Sequence, residues 1–113
     1  MPVRPVSSTC SKTEASYAQY LDMQVHVGQL ETWRYEAVRL ALAPGVTYIP
    51  DFLEVMPDGS VLLVEVKGRK GSGFWTLPVS KVKVRMAAVL FPWGNFAITW
   101  PGARLGTWDR IDV

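Results

Sequence analysis

Cysteine occurs once in the 113 residues, as Cys10, and histidine once, as His26. A single thiol cannot close an internal disulfide, and its isolation agrees with a reducing compartment. One Cys and one His cannot build an intrachain site of the zinc-finger type. Any metal must then be held by carboxylates and carbonyls, which points to a hard cation such as Mg²⁺, with Mn²⁺ as a substitute. No apolar run is long enough to span a bilayer. The first residues, MPVRPVSSTCSK, lack the apolar centre of a signal peptide. The expectation is a cytoplasmic protein with no membrane partner. Internal repeats and low-complexity tracts are also missing. The net charge is only +2, so the chain is not a uniformly cationic glove.

What is present is a foldable apolar chain of single-domain size. Apolar residues make up 49% of it, enough for one modest core. Residues 1–10, with Pro2 and Pro5, read as a loose arm. Ser11-Lys12-Thr13-Glu14 has the form of a capping box. A helix from about Lys12 to Val27 should follow, stopped at Gly28. Tyr17, Ala18, Leu21 and Val25 make its apolar stripe, and Glu14 falls on that stripe one turn before Ala18. An acid at the start of an inward face is a mild anomaly, for which capping and the helix dipole are one account and a further role for the carboxylate the other. Leu30 to Ala43 fits either a helix or a twisted strand that switches face. Its aromatic content and the Pro44-Gly45 turn tilt the reading to a strand.

Val46 to Val55 reads as the next strand, Pro57-Asp58-Gly59 as a turn, and Val61 to Lys67 as the returning strand. Gly68 to Gly73 reads as a basic, glycine-rich loop. Thr76 or Ser80 could cap a second helix running to about Phe91. Val79, Val82, Met86, Val89 and Leu90 would form its inner side, with Lys83 at the border and Lys81 and Arg85 pointing away. Lys81 to Met86 also alternates as a strand would, but the Ala87-Ala88 continuation favours helix. Asn95 to Trp100 is a last strand, and residues 101–113 are a tail with at most a short added element.

The chemistry concentrates between Thr47 and Gly68. Pairing Val55 with Val61 across the turn sets Asp51 opposite Glu65, and opposed residues share a face. Lys67 lies two residues beyond Glu65 and shares it too. A slip of one residue would separate the acids. Both faces of these strands are apolar, as for interior strands covered on both sides. Opposed carboxylates in such a sheet repel each other and carry a desolvation cost. A hard dication removes both objections, and the Val66 carbonyl could add a ligand. Lys67 could then orient or help deprotonate water, or neutralise charge on a reacting phosphate. An ordinary cross-strand ion pair is the plain alternative. Arg69 and Lys70, then Lys81, Lys83 and Arg85, are local basic clusters of the kind a phosphate backbone feels.

Pro50-Asp51, one hairpin, then Glu65-Val66-Lys67-Gly68 resembles the PD-(D/E)xK nuclease signature. With the Ser-Lys-Thr-Glu helix start and Tyr48-Ile49-Pro50-Asp51-Phe52, it resembles small phage and prophage nucleases of the Holliday-junction-resolvase-like branch. The resemblance spans roughly Ser11 to Trp100. It implies an α/β (α+β) restriction-endonuclease-like core: a mixed sheet flanked by helices, in the order helix, three antiparallel strands, helix, strand. It implies Mg²⁺-dependent hydrolysis of DNA phosphodiesters. Asp51 and Glu65 resemble the metal ligands, Lys67 the catalytic lysine, and Glu14 the acid that many members contribute from the first helix. One rotamer of Glu14 cannot serve both that role and the capping box. Lys83 falls where some members place a basic or amide residue near the site. Lys81, Arg85, Arg69 and Lys70 would be phosphate contacts that position without reading sequence. The implied partner is structured or branched DNA in a bacterial host's cytoplasm, with a homodimer as a common arrangement for two-fold substrates. The competing expectations are a catalytically inactive nuclease-fold DNA-binding or assembly protein, and a small interaction module whose acids are exposed ion pairs.

Overall fold

The computed structural model describes residues 11–75 and 78–113. The expected arm at 1–10, Cys10 and the Thr76 cap lie outside the described residues. The first helix, α1 (Lys12–His26), begins as its sequence dictates. The Ser11 hydroxyl accepts from the Glu14 N–H, and the Glu14 carboxylate accepts from the Ser11 N–H. Tyr17, Ala18 and Leu21 face the core, whereas Val25 lies at the surface. Gly28, at φ +82°, lets the chain reverse after the helix, so that Leu30 returns to the core.

The segment from 30 to 43 is extended, but it is two strands rather than one that switches face. β1 (Thr32–Tyr35) lies in the main sheet, and β2 (Leu40–Ala43) pairs instead with β3 (Val46–Tyr48) around a turn at Gly45. Glu36, with a positive φ of 47°, turns the chain out of the main sheet after β1. The expected single strand from Val46 to Val55 is likewise divided. Buried Pro50 has no N–H for a ladder, and β4 (Phe52–Val55) resumes in the main sheet beyond it.

The turn between β4 and β5 (Val61–Val66) closes with Gly59 at φ +88° and its N–H on the Met56 carbonyl. The register has Val55 opposite Val61 and Phe52 opposite Val64, the pairing expected from the sequence. Gly68 to Gly73, expected as a loop, is the core of a small hairpin made of β6 (Gly68–Lys70) and β7 (Gly73–Trp75). The chain then forms α2 (Pro78–Leu90), β8 (Asn95–Pro101) and β9 (Trp108–Asp112). The C-terminal tail therefore supplies a fifth strand to the sheet.

The main sheet is mixed, in the order β1-β4-β5-β8-β9. Only β5 and β8 run parallel, because the α2 crossover joins them. The class is α+β, with two helices among the described residues. The helix-strand-strand-strand-helix-strand order is interrupted by the β2–β3 and β6–β7 hairpins and extended by β9. β5 is central and contributes to two cores. Leu62, Val64 and Val66 pack with Tyr17, Leu21, Phe52 and Ala97 on the α1 side. Leu63 packs with Leu40, Leu42, Tyr48, Val84, Phe96 and Trp100 on the other.

The inner face of α2 is not the expected one. Val84 and Ala87 are buried, while Val79 (57% exposed), Val82 (54%) and Val89 (79%) face outward with Met86 and Leu90. The second core is already filled by large side chains from β2, β3 and β8. Val84 and Ala87, three residues apart on the helix, are the residues that meet them. Because Val84 is no smaller than the outward valines, it is the orientation of α2 and not side-chain size that sets the face. Among the described residues, no helix is long and apolar enough to cross a membrane.

Candidate active site

Asp51 stands immediately before β4 begins. Continuing the β4–β5 register past Phe52 and Val64 sets Asp51 across from Glu65. The backbone of β4 no longer serves β5 at this point. The Asp51 carboxylate takes over, accepting the Val66 N–H at Oδ2 (2.8 Å). On the other side of β5 the Lys67 N–H donates to the Thr99 carbonyl of β8. Both edges of this strand end are thereby satisfied.

Glu65 is 8% exposed and fully engaged. Its Oε1 accepts from the Tyr48 hydroxyl (3.0 Å), and its Oε2 lies 2.9 Å from the Lys67 ammonium. Burial pushes the Asp51 carboxyl up to about 8. The Glu65 charge adds to that rise and Glu14 adds less, against the lowering effects of the Val66 N–H and Lys67. Burial and the same Glu65 carboxylate also raise the Tyr48 hydroxyl far above its ordinary range, so it stays a neutral donor. Two hard-oxygen donors crowded in a desolvated place fit a hard dication, which would relieve what their single lysine only partly offsets.

Glu14 reaches the neighbourhood from another direction. Its Oε2 accepts from the Tyr35 hydroxyl (3.1 Å), while its Oε1 remains in the capping box. Burial, then Glu14 and more weakly Asp51, raise the Tyr35 hydroxyl. In this arrangement Glu14 is a cap. Among the described residues, no three acids, histidines or cysteines are grouped closely enough to hold a metal. The compact set is Asp51, Glu65 and the intervening backbone at Val66.

The basic residues divide. Lys83, grouped in the sequence with phosphate contacts, is half-buried, and its Nζ donates to the Thr47 carbonyl (2.9 Å). It pins β3 to α2, and the next residue, Tyr48, holds Glu65. The Lys83 ammonium is thus engaged with the β3 backbone. Arg69 donates to the Pro101 carbonyl (3.3 Å) and lies 3.9 Å from Asp109, tying β6 to the β8–β9 end of the sheet. Lys70, Lys81 and Arg85 are exposed.

Sequence spacing does not reveal every participant. It runs Tyr48 into a continuous strand, and only the break at Pro50 turns that residue onto Glu65. Glu54 carries no motif that marks it. It is 5% exposed, and its Oε2 accepts from the Tyr17 hydroxyl at 2.6 Å. The alternation from inward-facing Phe52 is the signal that could have found it. Burial raises the Glu54 carboxyl to about 7, against the lowering effects of Tyr17 and Arg110. Trp100 Nε1 is buried with no hydrogen-bond partner among the described residues.

No family model matches the chain, and no curated protein or solved structure does either.

Proposed function

We propose that this protein is a Mg²⁺-dependent endonuclease with a restriction-endonuclease-like core, hydrolysing phosphodiesters of branched or replicative DNA in a bacterial host's cytoplasm. One observation carries the reading. Asp51, Glu65 and Lys67 converge at the end of the central strand, in a buried setting that raises the Asp51 carboxyl to about 8. Strongly perturbed titratable groups in such a cluster are a signature of functional sites. An exposed ion pair at a sheet edge, as an interaction module would have, accounts poorly for a buried glutamate on the central strand.

Asp51, Glu65 and the Val66 carbonyl would hold the cation, while Glu14 stays in the capping box and on Tyr35. The cation, when bound, supplies Lewis acidity toward a phosphoryl oxygen and toward water. The chain's own groups do the rest. The Val66 N–H fixes the Asp51 carboxylate, and Tyr48 fixes Glu65. Lys67, no longer needed to neutralise Glu65, can orient the attacking water and stabilise charge as it builds on the phosphoryl group. Lys70, Lys81 and Arg85 supply exposed cations for the phosphate backbone.

A catalytically inactive DNA-binding or assembly protein is the second reading. Its supporting observation is that Lys67 and Tyr48 already satisfy Glu65 without a cation. The deciding experiment is cleavage of matched four-way-junction, flap and linear DNAs with Mg²⁺. The wild type should cut at least one of them. Asp51→Asn and Lys67→Ala should each lower the rate about 100-fold or more. A folded wild-type protein that binds DNA tightly, cuts none of the three and ignores Mg²⁺ would establish the second reading.

A further inference from the structure

An open groove of about 810 Å³ runs between the exposed face of α1 and the segment joining β8 to β9. Lys12 and Arg104 are its cations, and none of its described lining residues is acidic. Tyr20 and Trp108 line it as well, and both rings rest on Tyr17, at 5.7 Å and 4.9 Å between centroids. One end of the groove reaches Pro101, whose carbonyl holds Arg69, two residues beyond Lys67. Arg69 thus links the strand end that follows Lys67 to the groove's edge at Pro101.

The connecting segment is a built feature. The Gly102 N–H donates to the Thr107 carbonyl (2.8 Å), and the Thr107 hydroxyl donates to the Arg104 carbonyl (2.7 Å). A side chain at Gly102 would collide with Thr107. Gly106 takes φ +84°. This closed loop displays Leu105, fully exposed, beside the groove. No packing role among the described residues explains an apolar side chain held out on so constrained a loop.

We propose that the groove binds a single-stranded arm of the polynucleotide, with Leu105 standing where that arm leaves the duplex. Cations without acids suit a phosphate backbone, and aromatic rings suit unpaired bases, which stack without regard to sequence. An apolar side chain at a branch point fits against the last stacked pair. This assignment rests on the nuclease reading and names the part of the substrate that the reading leaves open.

The test uses the full chain carrying Asp51→Asn, so that nothing is cut. Fluorescence anisotropy compares labelled oligo(dT), a blunt DNA hairpin, and the same hairpin with an oligo(dT) arm. The armed hairpin should bind tighter than the blunt one. Arg104→Glu and Tyr20→Ala should each weaken oligo(dT) about tenfold and leave the blunt hairpin unchanged. Leu105→Ser should reduce the preference for the armed hairpin while sparing oligo(dT). Tyr20→Ala could disturb α1, so the two loop variants keep the test independent of folding. Oligo(dT) binding that ignores Arg104→Glu, or equal affinity for armed and blunt hairpins, would overturn the groove assignment even if the wild type cleaves DNA. Groove-dependent oligo(dT) binding by a protein that cleaves nothing would support the groove and remove the nuclease.

Discussion

A carboxylate buried beside a tyrosine is a titration device whether or not it does chemistry. Glu54, paired with Tyr17 and faced by Arg110, holds its proton up to about pH 7 in the folded protein. Unfolded, it releases that proton near the ordinary glutamate value. The folded form therefore gains from Glu54 at low pH. That gain fades as pH rises between the two values and is gone above about 7. Glu54→Gln keeps an acceptor for Tyr17 and carries no charge. It should match the wild type near pH 4 and exceed it by roughly 3 kcal/mol at pH 8. Urea melts at the two pH values check this, and equal midpoints at pH 8 would refute it. Tyr48→Phe should behave differently. It removes the hydroxyl on Glu65 at a stability cost of about 1 kcal/mol, and should lower cleavage well beyond what that loss of fold explains. A variant with wild-type turnover would show that Glu65 needs no such support.

At the scale of the element, α2 separates what a helical wheel can report from what it cannot. Its stripe of Val79, Val82, Met86, Val89 and Leu90 is the more apolar side, yet Val84 and Ala87 carry the packing. Substituting Val82 or Val89 by serine should change stability by no more than about 0.5 kcal/mol. Val84→Ala, which empties a fully buried position, should cost about 1–3 kcal/mol. Thermal melts of the three variants decide it, and a large loss at Val82 would mean that the outward face is covered in solution. The β4–β5 hairpin is the opposite case. Its turn residues, Pro57, Asp58 and Gly59, mark the hairpin, and the structure has the assumed register in which Val55 meets Val61. The meeting of Asp51 and Glu65 follows from the chain's spacing once that register is given, and the structure is what gives it. The division of 30–43 and 46–55 into strands of two sheets does not follow from spacing, because apolar alternation is the same whichever neighbour a strand finds.

For the whole molecule, the nuclease reading has a thermodynamic consequence that does not depend on finding the substrate. A ligand that binds only the folded state raises its stability by mass action, by about 2.7 kcal/mol at a hundred times its dissociation constant. Saturating Mg²⁺ should raise the melting temperature of the wild type and leave Asp51→Asn unmoved. Without a divalent ion, Asp51→Asn should melt at or above the wild type at pH 9, since it removes a crowded carboxylate whose proton is lost near pH 8. A wild-type melting temperature indifferent to Mg²⁺ would count against a metal site at Asp51 and Glu65.

Local chemistry was enough to determine the start of α1 at Ser11, the stop at Gly28 and the turn at Gly59, while the facing of Asp51 and Glu65 needed the register that the structure supplies. Each of the first three depends on residues close in the chain, where spacing and backbone preference leave few choices. Only the tertiary structure decided what lies around them. It turned Tyr48 onto Glu65 and Lys83 onto Thr47, kept Glu14 on its cap beneath Tyr35, and placed Glu54 under α1. It also made the last residues an edge strand beside an open groove. Those outcomes depend on which distant surfaces compete for the same space, and no window of neighbouring residues contains that competition.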